Sequence, residues 1–173
     1  VLQDAIDRCI SFIEFNRNRW RDQGLFLLSK GEPMEAIRYF DRVLEVDPSD
    51  HRIWLQRADA FRQVGKYQEA LESLDRALAI TPEDLGALLD RSDVLSLLGN
   101  HAGSIAALEV ILARNPGIRD MRVVMGFIRE GDALSERGEH EEAVMCYSHA
   151  LEMDPDNSST WTSKGRSLAI LGW

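Results

Sequence analysis

Cysteine is nearly missing from this sequence, with 2 in 173 residues, so no disulfide framework can hold the fold together. Cys9 and Cys146 each fall in an apolar helical pattern, where a buried thiol acts as a small hydrophobe, and a reducing cytoplasmic setting is expected. Long apolar runs are also missing: charges interrupt every stretch well short of the roughly 20 residues a membrane helix needs, so no membrane partner is expected. Positive charge is in deficit. The net charge of −9 repels phosphate backbones and removes the counterion release that drives most nucleic-acid binding, so no nucleic-acid partner is expected either. The opening Val1-Leu2-Gln3-Asp4 has no initiator Met, basic start or long apolar segment, so it reads as a boundary inside a longer polypeptide and not as a signal peptide.

What the sequence does contain is a repeat. Pro48, Pro82 and Pro116 are spaced by 34 residues and Pro155 follows after 39. Gly31, Gly65, Gly99, Gly138 and Gly172 keep the same steps, followed by another of 34, and so do Trp20, Trp54, Leu88, Phe127 and Trp161. One period has therefore been stretched by five residues.

Two helical patterns share each period. The first places large, small and apolar residues at i, i+4 and i+7, as in Trp20-Gly24-Leu27, Trp54-Ala58-Phe61 and Phe127-Gly131-Leu134. The second is wider, as in Ala36-Ile37-Phe40-Val43-Leu44 and Ala143-Val144-Tyr147-Ala150-Leu151, and touches neighbours on two sides. The glycines are placed to end the first helix, and the prolines to end the second because they disfavour helix in the residue before them. Ser49-Asp50, Glu83-Asp84 and Asn157-Ser158 then offer caps for the next helix.

The order of Trp, Gly or Ala, an apolar residue, Ala, an aromatic, Ala and Pro over 34 residues resembles the tetratricopeptide repeat. The resemblance implies an all-α, right-handed superhelical solenoid of antiparallel helix-turn-helix repeats. Copies are expected at residues 17–50, 51–84, 85–118 and 124–157, with 119–123 an insertion that lengthens the next helix. Residues 158–173 would be the first helix of a truncated fifth copy. Copy three is weaker, with Leu88, Ser92, Ser104 and Ile111 in place of aromatic or small residues. Leu2, Ile6, Cys9 and Ile13 form an apolar stripe over residues 1–16, which is either the second helix of a preceding copy or a cap.

Candidate chemistry is sparse. His140-Glu141 opens like a metalloprotease helix, but Val144 stands where the second histidine would be, and no phosphate loop, Cys-x-x-Cys or nucleophile elbow occurs. The expectation is no enzyme, no cofactor and no metal. The resemblance implies instead a scaffold for protein-protein interaction, holding a protein or peptide in a concave groove lined by the first helices. Its candidate lining is Arg21, Leu25, Leu55, Asp59, Arg62, Leu89, Asp93, Ile128, Asp132 and Arg166. Leu55, Leu89 and Ile128 would stack as an apolar row, and Asp59, Asp93 and Asp132 as an acidic one. A partner with basic residues beside apolar ones would suit both; alternatively the acids form a solvated face, with Asp59 pairing Arg62 and Asp132 pairing Arg129 along their own helices. Some family members grip the C-terminal carboxylate of chaperones with Lys, Asn and Arg. Here Leu25, Gln56, Gly86 and Asp90 fill most of those slots, so that ligand is not expected. A second expectation is a homodimer through the last helix, whose Trp161, Leu168 and Trp173 would be left uncovered.

Overall fold

A computed structural model describes residues 2–173, and the described residues form helices joined by short turns, with no strand. The helices are α1 Leu2–Ser29, α2 Pro33–Val46, α3 His51–Gln63, α4 Tyr67–Ile80, α5 Leu85–Leu97, α6 His101–Arg114, α7 Met121–Glu136, α8 His140–Met153 and α9 Ser158–Leu171. They divide into two compact units, one ending at Ala87 and the other beginning at Leu88, with the division falling inside α5. In the first unit α1 packs on α2 and α3 on α4; in the second α7 packs on α8 and α8 on α9.

Backbone chemistry sets the punctuation. At the end of α3, Gly65 adopts φ +74, a left-handed conformation that costs a residue with a Cβ far more than glycine. This lets Gly65 N–H donate to the Arg62 carbonyl at 3.0 Å and Lys66 N–H to the Phe61 carbonyl at 2.9 Å, the paired bonds of a Schellman stop. Gly31, Gly99, Gly138 and Gly172 close α1, α5, α7 and α9 with the same two bonds. The second helices stop differently. Asp47, Thr81, Asn115 and Asp154 each precede a proline, and their φ values lie between −135 and −128, outside the helical range.

The next helix is then started by a side chain. Asp50 accepts from Ile53 N–H at 3.2 Å, Asp84 from Ala87 N–H at 2.9 Å and Asn157 from Thr160 N–H at 3.1 Å. Trp54 and Trp161 add a further tie, each indole N–H donating to the carbonyl of the proline behind it, at 2.9 and 2.8 Å.

Close helix approach depends on residue size. A Cβ at Gly24 would lie 2.6 Å from the Phe40 ring, and one at Gly131 would lie 2.7 Å from the Tyr147 ring. Phe40 and Tyr147 are thereby buried, each removing enough apolar surface from water to contribute roughly 2–3 kcal/mol. Residues 2–16 and the start of copy one, separate in the sequence reading, share the unbroken α1, and residue 1 lies outside the described residues. With no proline between Leu2 and Ser29, nothing in the sequence forces a stop.

Candidate functional site

Arg21 and Leu25 sit on successive turns of α1, and Arg52, Ile53 and Gln56 face them from α3. With Asp50 they line a cleft of about 490 Å³ in the first unit. Leu25 is exposed and Ile53 buried, so the cleft has an apolar wall at one side and an apolar floor. Arg21 bonds Asp22 beside it at 3.1 Å, whereas the exposed Arg52 has no ion pair among the described residues. The sequence reading included Arg21 and Leu25 and missed Arg52, Ile53 and Gln56, because it took residues at fixed offsets from Trp54 and overlooked the helix start, where Asp50 aims α3.

Elsewhere in the first unit, Asp59 accepts from Arg62 at 2.8 Å and from Gln63 at 2.9 Å, the pairing along its own helix that a solvated face would show. Leu55 is half-buried beside it. In the second unit the expected rows are altered. Leu89 is only 6% exposed and belongs to the core, since α5 carries Leu85, Ala87, Leu88, Leu89, Val94 and Leu95 and has no clean polar face to set it on. Arg129 bonds Asp93 on α5 at 2.6 Å and not Asp132 on its own helix. Asp132 instead accepts from the Tyr147 hydroxyl at 2.8 Å. Burial, and then this bond to a carboxylate, push the Tyr147 phenol well above its usual range, so it remains a donor. Asp132 and Arg166 share a smaller cavity of about 160 Å³ with Ser135, Glu136, Tyr147 and Ser163, while Ile128 is half-buried on the same helix as Asp132.

One polar cluster escaped the sequence reading altogether. Glu130 is fully buried, and its carboxylate accepts from Ser104 at 2.8 Å while lying 2.7 Å from His101 Nδ1. Ser104 has a single hydroxyl proton and gives it to Glu130, so Ser92, 2.8 Å away, donates to Ser104 in turn. Serine, histidine and carboxylate are thus together, but the serine and the histidine each contact the carboxylate and no bond joins them. Activation of a nucleophile requires that missing bond, and both serines are buried, so the geometry serves packing. The available signal was Glu130 lying three residues after Phe127, on the inner side of α7.

The half-buried His149 ring lies tilted against Phe127, ring centres 5.0 Å apart, with its Nδ1 3.6 Å from Glu152. Burial pushes the Cys146 thiol up to about 12, which keeps it protonated and unreactive. Among the described residues no group of three or more His, Cys, Asp or Glu could hold a metal ion, and no helix is long and apolar enough to cross a membrane.

Comparison with known proteins adds the lineage. A crystal structure of MamA protein superposes with a TM-score of 0.74 over 91% of this chain and 83% of that one, at 21% identity. MamA from Desulfovibrio magneticus RS-1, residue 41 to its end, gives 0.70 over 91% and 86%, at 20% identity. The structure of YrrB, described as a TPR protein with an unusual peptide-binding site, gives 0.66 over 88% and 76%, also at 20% identity. These likenesses establish the fold, an all-α array of hairpins of the solenoid type. No curated protein sequence matches. A tetratricopeptide repeat model matches residues 21–84 and 55–117, and a second matches 127–157. Together they span well over half of the sequence, and the chain belongs to the tetratricopeptide repeat family.

Proposed function

We propose that the chain is a protein-binding scaffold whose first unit takes an extended or helical peptide segment in the cleft between α1 and α3. The cleft itself carries the reading: about 490 Å³ of concave surface in which Leu25 supplies apolar contact above the buried Ile53 and Arg21 and Arg52 supply donors. Membership of a family of interaction scaffolds supports it, and so does the description of YrrB as peptide-binding. In the second unit, the smaller cavity shared by Asp132 and Arg166 offers a further contact, with the half-buried Ile128 one turn before Asp132.

A partner with basic residues beside apolar ones finds its best carboxylate at Asp132, whose hydrogen-bond partner is a neutral phenol. At Asp59 and Asp93 a lysine would first have to displace Arg62 or Arg129, so those positions add little. Catalysis forms no part of this reading. A reducing, cytoplasmic setting suits it, since the buried Cys146 thiol is unpaired.

The test is affinity capture from source lysate with the chain and with a Leu25→Glu, Arg52→Glu variant of unchanged helicity. A partner held by the first and lost by the second is the expected result. A partner held equally by both places the binding surface elsewhere.

A second reading is self-association through the last helix. It is favoured by Trp161, 52% exposed where the equivalent Phe127 is 0% exposed, and by Trp173, 75% exposed.

A further inference from the structure

The α1–α3 cleft has hydrogen-bonding capacity that the chain itself does not use. The one carboxylate of its lining, Asp50, is committed to the α3 cap, where it accepts from Ile53 N–H at 3.2 Å. Two guanidiniums face the same space. Arg21 is held by Asp22 at 3.1 Å, outside the lining, whereas Arg52 is exposed and Gln56 half-buried. Among the described residues neither the Arg52 nor the Gln56 side chain makes a hydrogen bond or an ion pair. Positive charge and donors are thus in local surplus, within a chain whose net charge is −9.

That surplus discriminates between partners. A guanidinium fork matches a carboxylate, which accepts two parallel N–H bonds from it, and the first turn of α3 adds the positive end of its dipole. A basic side chain would instead meet Arg21 and Arg52 as like charges and find no uncommitted acid. Gln56 carries a donor and an acceptor side by side, the pattern of a peptide group. A helical partner has paired its own peptide groups internally, so an extended segment is the one that can use Gln56.

We infer that the occupant of the cleft is an extended acidic segment of a partner protein, with an aspartate or glutamate on Arg52, a peptide group on Gln56 and an apolar side chain against Leu25. In an extended chain, side chains two residues apart share a face and lie about 7 Å from each other, so the acid and the apolar residue stand at i and i+2. This rests on the α1–α3 cleft being the binding surface. The basic residues proposed for Asp132 make their contact in the second unit and not in this cleft.

The test is selection of a displayed library of random short peptides on the 173-residue chain, and on an Arg52→Glu variant. A carboxylate in the first turn of a helix is favoured by the dipole, so this variant is expected to fold, and its helicity is checked by circular dichroism. The wild type should enrich peptides with an acid two residues from a large apolar side chain, and Arg52→Glu should enrich lysine or arginine in place of the acid. In the best peptide, made with both ends capped, replacing the acid by its amide should weaken binding about tenfold, read by fluorescence anisotropy. Acidic peptides that bind Arg52→Glu as well as the wild type overturn the inference. So does a best peptide whose affinity survives loss of the acid but requires a free C-terminal carboxylate, and so does one that binds equally well when stapled as a helix. Enrichment of basic or uncharged peptides that a Leu25→Glu, Arg52→Glu variant no longer holds overturns the acidic occupant and leaves the cleft as the binding surface. No enrichment on the wild type overturns both.

Discussion

Arg57 in the first unit and Glu130 in the second occupy the same repeat slot, three residues after Trp54 and Phe127, with opposite charge. Both reach back to the second helix of the preceding copy. Arg57 donates to Asp41 on α2 at 2.8 Å and to Ser73 on α4 at 2.7 Å, with its guanidinium 4.6 Å from the centre of the Phe61 ring. Glu130 meets His101 and Ser104 on α6. The repeat therefore specifies a tie between neighbouring hairpins and leaves its sign open. The environments differ as well: Asp41 is 45% exposed and shares its charge with water, whereas Glu130 is wholly enclosed. An enclosed carboxylate depends on every donor around it, so the second-unit tie should be the more brittle.

Truncating Glu130 should produce the largest effect. Glu130→Ala strands His101 and the two serines in a dry site and should cost about 3 kcal/mol in urea unfolding. Adding Ser92→Ala and Ser104→Ala to a Glu130→Leu background should recover most of that loss, because the stranded hydroxyls are then gone. If the triple variant is no more stable than Glu130→Ala, the cluster is not a linked unit.

Arg57→Met retains much of the apolar stem and removes the charge, and should cost about 1.5 kcal/mol. A cost as large as that of Glu130→Ala would erase the contrast between the two ties.

Asp84 gives a pH-dependent version of the same tie, since its carboxylate lies 2.8 Å from His51 Nε2 in the first unit. Burial acts to raise its pKa, but the Ala87 and Gly86 amides and the His51 side chain together hold it below the usual carboxylate range. A depressed pKa contributes stability that is present above the ordinary aspartate value near 3.9 and is lost as pH falls through the folded value. Asp84→Asn should therefore lose about 1 kcal/mol near neutral pH and show a shallower fall in melting temperature under acid than the wild type. Parallel acid limbs would show that Asp84 is not among the groups whose protonation unfolds the chain.

The smallest effect belongs to the exposed pair. Asp93→Ala should change stability by about 0.3 kcal/mol, because the Asp93 and Arg129 side chains are both more than a third exposed.

The hairpins were legible in the sequence because their signals act on the chain locally. A left-handed glycine or a residue before proline is restricted by its own backbone, whatever surrounds it, so Gly65 and Thr81 announce turns without any tertiary information. The site was less legible. Side chains such as Arg129 and Arg57 have reach enough to choose between helices, and periodicity states which way a residue faces without stating what lies opposite. Asp93 thus took Arg129 from the next first helix, and Leu89 was placed on an outer row in a helix with little polar surface of its own. Glu130 was hidden for the opposite reason, as a charged residue that a pattern of apolar positions does not register.

The indole bonds to the proline carbonyls have a spectroscopic consequence. Trp54 lies in one unit and Trp161 in the other, each tied to the turn at the start of its own helix. Trp54→Phe and Trp161→Phe proteins would each remove one emitter from a known turn. Difference spectra against the wild type would then follow the loosening of each unit separately during unfolding, with no label attached.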